Sequence, residues 1–404
     1  MWRTREGSTA RLLQLCLGYF AFYVVTGVTV KYFGKTDPGY PGMDGIQYLV
    51  YQTVGGSFVA LGVVLVRRWY RLESRQQVRW GRLVFPAEFL YILPSGVCTA
   101  VVIPTTTLMY TLPVSVMVAM VIMRGSIIVV SRLVDSIQAR QGLLRRRVYV
   151  EENLAVVFAL LAVGAQILWT PSLVNPLVDW LVRAGVGVAG ALRLQSGDGR
   201  NFEFLRSRAA MTILSSYIIA YTIRIYIMNY YRNTRGRGQK LDNKAFFAIE
   251  QLAAFVTIVL STAFVLLLAP SLGWNAKQIV TFRQAFLSPH PLWGWAALSG
   301  TAFGFVAFFS VFIFMFKGRT ATFAGLVNRL TSLVAGTAAT LFSHYAFGAR
   351  FPEFADWLAL LFILVAVGFL TQAERKRQVE LVQAREIEAA PPAARPARVA
   401  ASAG

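Results

Sequence analysis

Charged residues are scarce in this 404-residue chain, at 15% of the sequence, compared with roughly 25% in soluble domains. Cysteine and histidine are scarcer still, with two of each, which excludes a disulfide framework and a zinc site built from those residues. The sequence also lacks a phosphate-binding P-loop, a hydrolase nucleophile elbow and any cluster of acids or histidines. We therefore predict no enzymatic activity, no cofactor and no metal site.

Acidic residues are few compared with basic ones, 19 against 40, which gives a formal net charge of +21. In a soluble protein such a charge would indicate binding to nucleic acid. Here most of the cations fall in short loops between apolar runs, where the positive-inside rule for membrane proteins accounts for them. We therefore exclude nucleic acid as a partner and expect membrane lipids instead.

Long apolar runs dominate the chain, and 56% of its residues are hydrophobic. Ten runs are long enough to cross a hydrocarbon core of about 30 Å, and each must be a helix because lipid cannot satisfy backbone hydrogen bonds. The predicted spans are 12–32, 45–66, 85–110, 113–137, 153–170, 209–231, 245–270, 292–316, 320–345 and 354–372. The predicted fold class is an all-α membrane protein with ten transmembrane helices.

The distribution of Lys and Arg over the loops predicts the orientation. With the N-terminus in the cytosol, the inner segments hold 26 of these residues and the outer loops nine, so both termini are predicted to be cytosolic. The absence of any Asn-x-Ser/Thr sequon favours a bacterial inner membrane, with a eukaryotic organelle membrane as the alternative.

The chain divides into two five-helix halves, residues 1–170 and 209–373. The segment 171–208 between them is predicted to contain an amphipathic helix in the outer interface, although a partly spanning segment is the alternative. Residues 374–404 are predicted to be a cytosolic tail that begins as a short charged helix and then becomes disordered.

The two halves resemble one another in order. Residues 29–33 at the end of the first run match 227–231, and residues 51–52 match 250–251 at the same depth of the next run. Because each half has an odd number of spans, the repeats are inverted in the membrane. Inverted repeats are typical of secondary transporters, whose substrate site lies between the halves near the midplane.

Arg124 and Arg329 lie deep inside matching runs of the two halves. A cation there costs at least about 2.5–3.5 kcal/mol unless a partner, water or a ligand compensates it. We predict that they bind an anionic substrate group or form a gating ion pair. The alternative for Arg124 is a structural arginine that donates to backbone carbonyls at the end of the preceding helix.

Three features resemble the drug/metabolite transporter superfamily: the ending GVTVKYF of the first span, the tight turn 110–113, and the segment IMRGS at 122–126. Within it, the chain is most similar to the nucleotide-sugar and solute-carrier-35-like branch. The resemblance implies a central cavity lined by spans 1–4 and 6–9, with spans 5 and 10 outside it. It also implies a position for Lys31 at the mouth of the cavity.

The remaining substrate-binding candidates are polar or aromatic residues within the spans: Asn328, Thr331, Ser332, Gln52, Gln251, Lys31 and Tyr51. The first three share a helix face beside Arg329, which indicates either a cavity lining or a helix–helix contact. The glutamines would hydrogen-bond the substrate. Tyr51 would stack on a ring, and packing is its alternative, as snorkelling to the headgroups is for Lys31.

Glu250 is the predicted proton-coupling residue, because burial favours the neutral, protonated carboxyl group. Its alternative role is a fixed ion pair with Arg329. Arg224, which lies seven residues from the inner end of its span, is expected to snorkel to the lipid headgroups.

Together these features predict a secondary transporter of a small polar or anionic metabolite that works by alternating access. Its partners would be a small-molecule substrate and membrane lipids, and a homodimer is left open. The alternative is a scaffold or lipid-handling protein on the same fold. A packed core with both arginines paired would favour that alternative.

Overall fold

The computed structural model shows an almost entirely helical protein. It describes residues 9–71, 77–142, 149–168, 171–187, 190, 207–234, 242–314, 321–349 and 351–389. The helices in these ranges are α1 (Thr9–Gly34), α2 (Gly45–Val66), α3 (Phe89–Thr111), α4 (Val116–Arg140), α5 (Val150–Leu168), α6 (Pro171–Arg183), α7 (Arg208–Thr234), α8 (Asn243–Leu268), α9 (Lys277–Leu287), α10 (Trp293–Phe314), α11 (Ala321–Phe347) and α12 (Phe354–Ala389). A short antiparallel hairpin, β1 (Gln77–Trp80) and β2 (Leu83–Pro86), joins α2 to α3.

Seven helices of the described residues are long and apolar enough to cross a membrane: α1, α2, α3, α4, α7, α8 and α12. The chain is therefore an integral, multi-pass membrane protein of the all-α class. The other three predicted spans fall on α5, α10 and α11, which are helical but are not among those seven. The number of ten crossings stays a prediction.

Short polar side chains fix where several helices begin. Asp44 accepts from the backbone N–H of Ile46 at the start of α2, and Ser115 accepts from Val118 at the start of α4. Such caps satisfy N–H groups that have no partner within the helix. Because α3 ends at Thr111, only four residues separate it from α4, as the predicted tight turn required.

The helices pack in a defined set of pairs. α2 lies against α10, α1 against α10 and α11, and α3 against α7 and α8; α4 contacts α5, α7 and α11, and α5 lies along α12. In α4, 67% of the most apolar stretch is buried inside the protein, compared with 11% in α8. α4, which carries Arg124, is therefore a central helix, and α8 is more peripheral along its most apolar stretch.

Glycines allow α2 and α10 to approach closely. A Cβ atom on Gly300 would lie 2.2 Å from the carbonyl oxygen of Gln52, and one on Gly55 would lie 1.7 Å from that of Ala297. Gly304 likewise faces the backbone of α2. Gly300 and Gly304 therefore form a small-residue face that makes a backbone-to-backbone helix contact.

The segment between the halves contains α6, which has 13 residues. A helix of that length spans about 20 Å and is too short to cross the hydrocarbon core. With about 3.6 residues per turn, Val174, Leu177, Val178 and Trp180 fall on one side of α6 and Asn175, Asp179 and Arg183 on the other. This separation of apolar and polar residues is that of an amphipathic helix; most of 188–206 lies outside the described residues.

The predicted tail does not begin as a separate unit. α12 continues without a break from Phe354 to Ala389, so the boundary at 373 falls inside one helix. Beyond the apolar part, Lys376 donates to Glu151 at the start of α5, and this hydrogen bond lowers the pKa of the Glu151 carboxyl group. The predicted disorder after residue 389 lies outside the described residues.

Candidate functional site

Arg124 meets tyrosines rather than carboxylates. Its side chain is half-buried, and Nη2 donates to the hydroxyl groups of Tyr23 at 3.0 Å and Tyr19 at 3.4 Å, both on α1. The guanidinium carbon lies 5.8 Å from the centroid of the Tyr23 ring, within range of a cation–π interaction. The Tyr23 hydroxyl in turn lies 2.8 Å from that of Tyr110 on α3. Arg124 thereby connects α4 to α1 and, through Tyr23, to α3.

A second chain of hydrogen bonds connects Arg124 to α11. The Tyr19 hydroxyl donates to Oδ1 of Asn328 at 3.4 Å, and Nδ2 of Asn328 donates to Ser310 at 2.8 Å. Tyr19 and Asn328 are both buried. Asn328, a predicted site residue, therefore lies in the same network as Arg124, whereas the Nε atom of Arg124 is buried and makes no hydrogen bond within the described residues.

Arg329 also contacts a neutral oxygen. Its Nη2 donates to the Ser131 hydroxyl on α4 at 2.6 Å, and its side chain is half-buried. It interacts electrostatically with Arg124 and with Asp135. In the part of the chain that the structure describes, no ion pair joins Arg124 or Arg329 to a carboxylate. The two arginines are thus brought into one region with their charge uncompensated by an ion pair.

Two tyrosines of α7 complete this region. The rings of Tyr217 and Tyr221 lie 5.4 Å apart, and both residues interact electrostatically with Arg124, Arg224 and Arg329. The Tyr221 centroid lies 5.8 Å from the guanidinium carbon of Arg224. The Tyr217–Tyr221 pair therefore lies among three guanidinium groups.

These tyrosines were missed by sequence reasoning, although a signal was present. Tyr217 and Tyr221 each follow Tyr19 and Tyr23 by 198 residues, which is the same offset that aligns 29–33 with 227–231. Residues four apart share one face of a helix. The matching of the two halves could therefore have identified both pairs before the structure was known.

The contacts of Glu250 contradict two predictions. Nε and Nη2 of Arg224 donate to its two oxygens at 2.8 Å each, and the Ser95 hydroxyl donates to Oε1 at 2.6 Å. The predicted ion pair of Glu250 with Arg329 is therefore wrong, as is the snorkelling of Arg224. The reason lies in packing: α3 lies against both α7 and α8, so it holds these helices where the two buried charges compensate each other.

Gln52 is a buried side chain without a hydrogen-bond partner among the described residues. It is 1% exposed, and neither Oε1 nor Nε2 forms a hydrogen bond within the described residues. A buried amide in this state costs about 1–3 kcal/mol, so it requires an explanation, which ligand binding would supply. Gln251, the other predicted glutamine, is also buried.

Two predicted site residues are engaged elsewhere. The hydroxyl of Tyr51 donates to the carbonyl of Ala285 in α9 at 2.9 Å and accepts from the N–H of His290, so it anchors α9 to α2. Nζ of Lys31 donates to the carbonyl of Leu112 between α3 and α4 at 2.9 Å. Within the described residues, neither Tyr51 nor Lys31 forms a hydrogen bond with Arg124 or its tyrosine partners.

The predicted polar stripe on α11 faces α1. Thr331 adjoins Cys16, and Ser332 adjoins Tyr19, while both hydroxyls also donate to carbonyls of their own helix. Asn328 bonds Tyr19 of α1 and Ser310 of α10.

Comparison with known proteins adds little. No protein-family model matches the sequence, and no curated protein matches it. A solved structure described only as a crystal structure of a protein covers 91% of this chain and 99% of its own, at 12% identity and a TM-score of 0.41. That similarity is too low to bear on fold or function.

Proposed function

We propose that this protein is a secondary transporter of a small polar or anionic metabolite that works by alternating access, as its resemblance to the drug/metabolite transporters implies. The observation that carries the proposal is the pair Arg124 and Arg329. The two side chains are half-buried and lie on α4 and α11, which pack against each other. Within the described residues, both guanidinium groups contact hydroxyl groups instead of carboxylates. Hydroxyl groups solvate a cation without neutralising it, so an anion entering the site would be stabilised strongly.

The packing of the helices supports two equivalent halves. In the proposed correspondence between the halves, α1 matches α7, α2 matches α8, α3 matches α10 and α4 matches α11. When each helix is replaced by its match, the contact of α2 with α10 becomes the observed contact of α8 with α3. In the same way, α1 with α10 becomes α7 with α3, and α1 with α11 becomes α7 with α4. The pairs α4–α11 and α5–α12 map onto themselves. Such a pattern is expected for inverted repeats with a central site.

We further propose ten crossings, with both termini in the cytosol of a bacterial cell. α4 would then enter from the outer side and α11 from the inner side. Arg124 and Arg329 would approach the substrate from opposite halves. Glu250 is the proposed proton-coupling group, because its buried carboxylate would bind a proton whenever its partner Arg224 leaves it.

The test is a ligand screen on purified protein followed by uptake into proteoliposomes. We expect an anionic metabolite, from a panel of nucleotide sugars, amino acids and organic acids, to raise the melting temperature and to be transported. Arg124→Met and Arg329→Met should each abolish the ligand-induced shift. Arg132→Met is the matched control, because Arg132 lies two turns further along α4 and pairs with Glu152 at 3.8 Å. A ligand shift that survives both central substitutions would refute the proposed site.

A further inference from the structure

We infer that Arg224 is a third anion-binding cation of the site. It is paired with Glu250 until an anionic substrate competes with this carboxylate for the guanidinium group. In this arrangement, binding of the anion to Arg224 is accompanied by uptake of one proton onto Glu250. The inference rests on the proposed function and names the residue pair through which substrate and proton would be coupled.

Arg224 is placed to contact both the carboxylate and the site. On one side it donates to Glu250, and on the other its guanidinium carbon lies 5.8 Å from the ring centroid of Tyr221. Arg124 and Arg329 lie in the same region as Tyr221. One tyrosine ring thus contacts Arg224 and lies near the two arginines that lack an ion pair within the described residues.

The exposure of the two partners differs in the direction that competition requires. The side chain of Arg224 is 15% exposed, whereas that of Glu250 is 1% exposed. An incoming anion can therefore reach the guanidinium group, while the carboxylate has no comparable contact with the surroundings. Arg224 can exchange partners, and Glu250 must remain where it is.

A carboxylate that loses Arg224 while buried has a high free energy, since the charge is then neither paired nor hydrated. When Arg224 leaves, a proton from solvent can reach the vacated side of the carboxylate, and its binding to one oxygen removes the charge and this cost. Ser95 can then accept a hydrogen bond from the neutral acid, because a hydroxyl group both donates and accepts. The carboxyl group gains the proton and the anion gains Arg224; no other bond changes.

No second acid lies within the described helices that surround Glu250. α3 and α7 present Cys98 and Arg224 to Glu250, and α2 presents the apolar Val64 to this helix. The titratable groups on α2, α3, α7 and α9 are Tyr48, Tyr51, Tyr91, Cys98, Tyr110, Arg208, Tyr217, Tyr221, Arg224, Tyr226, Tyr230, Tyr231, Arg232, Lys277 and Arg283. The neighbouring acids Glu88 and Asp242 stand just before α3 and α8, about two turns from Ser95 and Glu250. Glu250 is therefore the acid that takes up the proton.

The first half carries a neutral version of the same arrangement. A Cβ atom on Gly96 would meet the carbonyl of Glu250, as one on Gly300 would meet that of Gln52. The structure therefore matches Gln52 with Glu250. The sequence alignment of 51–52 with 250–251, which matches position 51 with Glu250, is displaced by one residue. The residue 198 positions before Arg224 is Thr26. Only the second half can exchange a proton here.

The experiment measures binding of sulfate and of succinate to the purified protein by calorimetry between about pH 5 and 8, together with proton uptake in weak buffer. For the unmodified protein we expect about one proton per anion, with affinity about tenfold higher for each unit that the pH falls. Glu250→Gln should bind both anions with no proton uptake and little pH dependence. Asp356→Asn is the matched control, since Asp356 is also buried but lies on α12 and bonds Gln166; it should behave like the unmodified protein.

A second measurement does not depend on transport. Sulfate should raise the melting temperature of Glu250→Ala more than that of the unmodified protein, because Arg224 is then free to bind it. Proton uptake that persists in Glu250→Gln, or equal sulfate shifts in the two proteins, would overturn the inference. If sulfate stabilises Glu250→Ala selectively and no metabolite is transported, the proposed function fails while the anion site at Arg224 stands.

Discussion

Arg224 on α7 holds both carboxylate oxygens of Glu250 on α8, with two nitrogen–oxygen distances of 2.8 Å. Such a two-pronged contact fixes the relative orientation of both side chains. Because Ser95 of α3 donates to the same carboxylate, three helices of the membrane domain meet at one buried charge pair.

We predict that breaking this pair on one side destabilises the protein strongly. Glu250→Ala should lower the free energy of unfolding by about 3–5 kcal/mol, because it leaves a buried guanidinium group unpaired. The double substitution Arg224→Met/Glu250→Ala should recover most of that loss, since it removes both charges. Unfolding of the purified protein in mild detergent measures the four members of the cycle. A double variant as unstable as the sum of the two single ones would contradict the prediction.

For Gln52 we predict that removing the polar group does not destabilise the protein. Because neither amide atom is hydrogen-bonded within the described residues, Gln52→Leu should leave the stability unchanged or raise it by about 1 kcal/mol. The same variant should weaken substrate binding if the amide hydrogen-bonds the ligand. Gln138→Leu is the control, because Nε2 of Gln138 donates to the carbonyl of Tyr226 at 3.0 Å and its loss should be destabilising. A large loss of stability in Gln52→Leu would show that the amide has a structural role.

The positions of the helices could be predicted from sequence because lipid imposes a strict rule. A run of about twenty apolar residues in a membrane can satisfy its backbone only as a helix, so the structure has a helix at each predicted span. The bounds differ most where polar sequence continues a helix without an apolar signal. The extension of α12 to Ala389 is the main example.

The site could be predicted only in part. Burial cost alone identified Arg124, Arg329 and Glu250, because a charge deep in an apolar run is unusual. Which charge pairs with which depends on how α3 holds α7 and α8 together, and one sequence carries no information on such tertiary contacts. For the same reason Tyr51 was assigned to the substrate, although the structure bonds it to α9.

Because α2 and α10 are in close contact, we predict that alanine substitutions at Gly300 and Gly368 have different effects on stability. Gly300→Ala should destabilise the protein by about 1–3 kcal/mol, because the new methyl group would meet a backbone oxygen at 2.2 Å, and a backbone atom cannot turn aside as a side chain can. Gly368→Ala on α12 has no atom within 4 Å of its new Cβ. It should be neutral or stabilising by up to about 1 kcal/mol, because alanine favours helix more than glycine. Similar melting temperatures for the two variants would contradict this packing.

The proposed orientation can be tested with single cysteines in a Cys16→Ser/Cys98→Ser background. Asp37 lies in the α1–α2 loop and is 64% exposed, and Lys376 lies beyond the apolar part of α12 and is 56% exposed. Ten crossings with a cytosolic N-terminus place these two positions on opposite sides of the membrane. In intact cells, a membrane-impermeant maleimide should therefore label Asp37→Cys and leave Lys376→Cys unmodified, while permeabilised cells should show labelling of both. If both Asp37→Cys and Lys376→Cys are labelled in intact cells, the number of crossings is odd and the proposed inverted arrangement of the two halves is refuted; labelling of Lys376→Cys alone would refute the cytosolic termini.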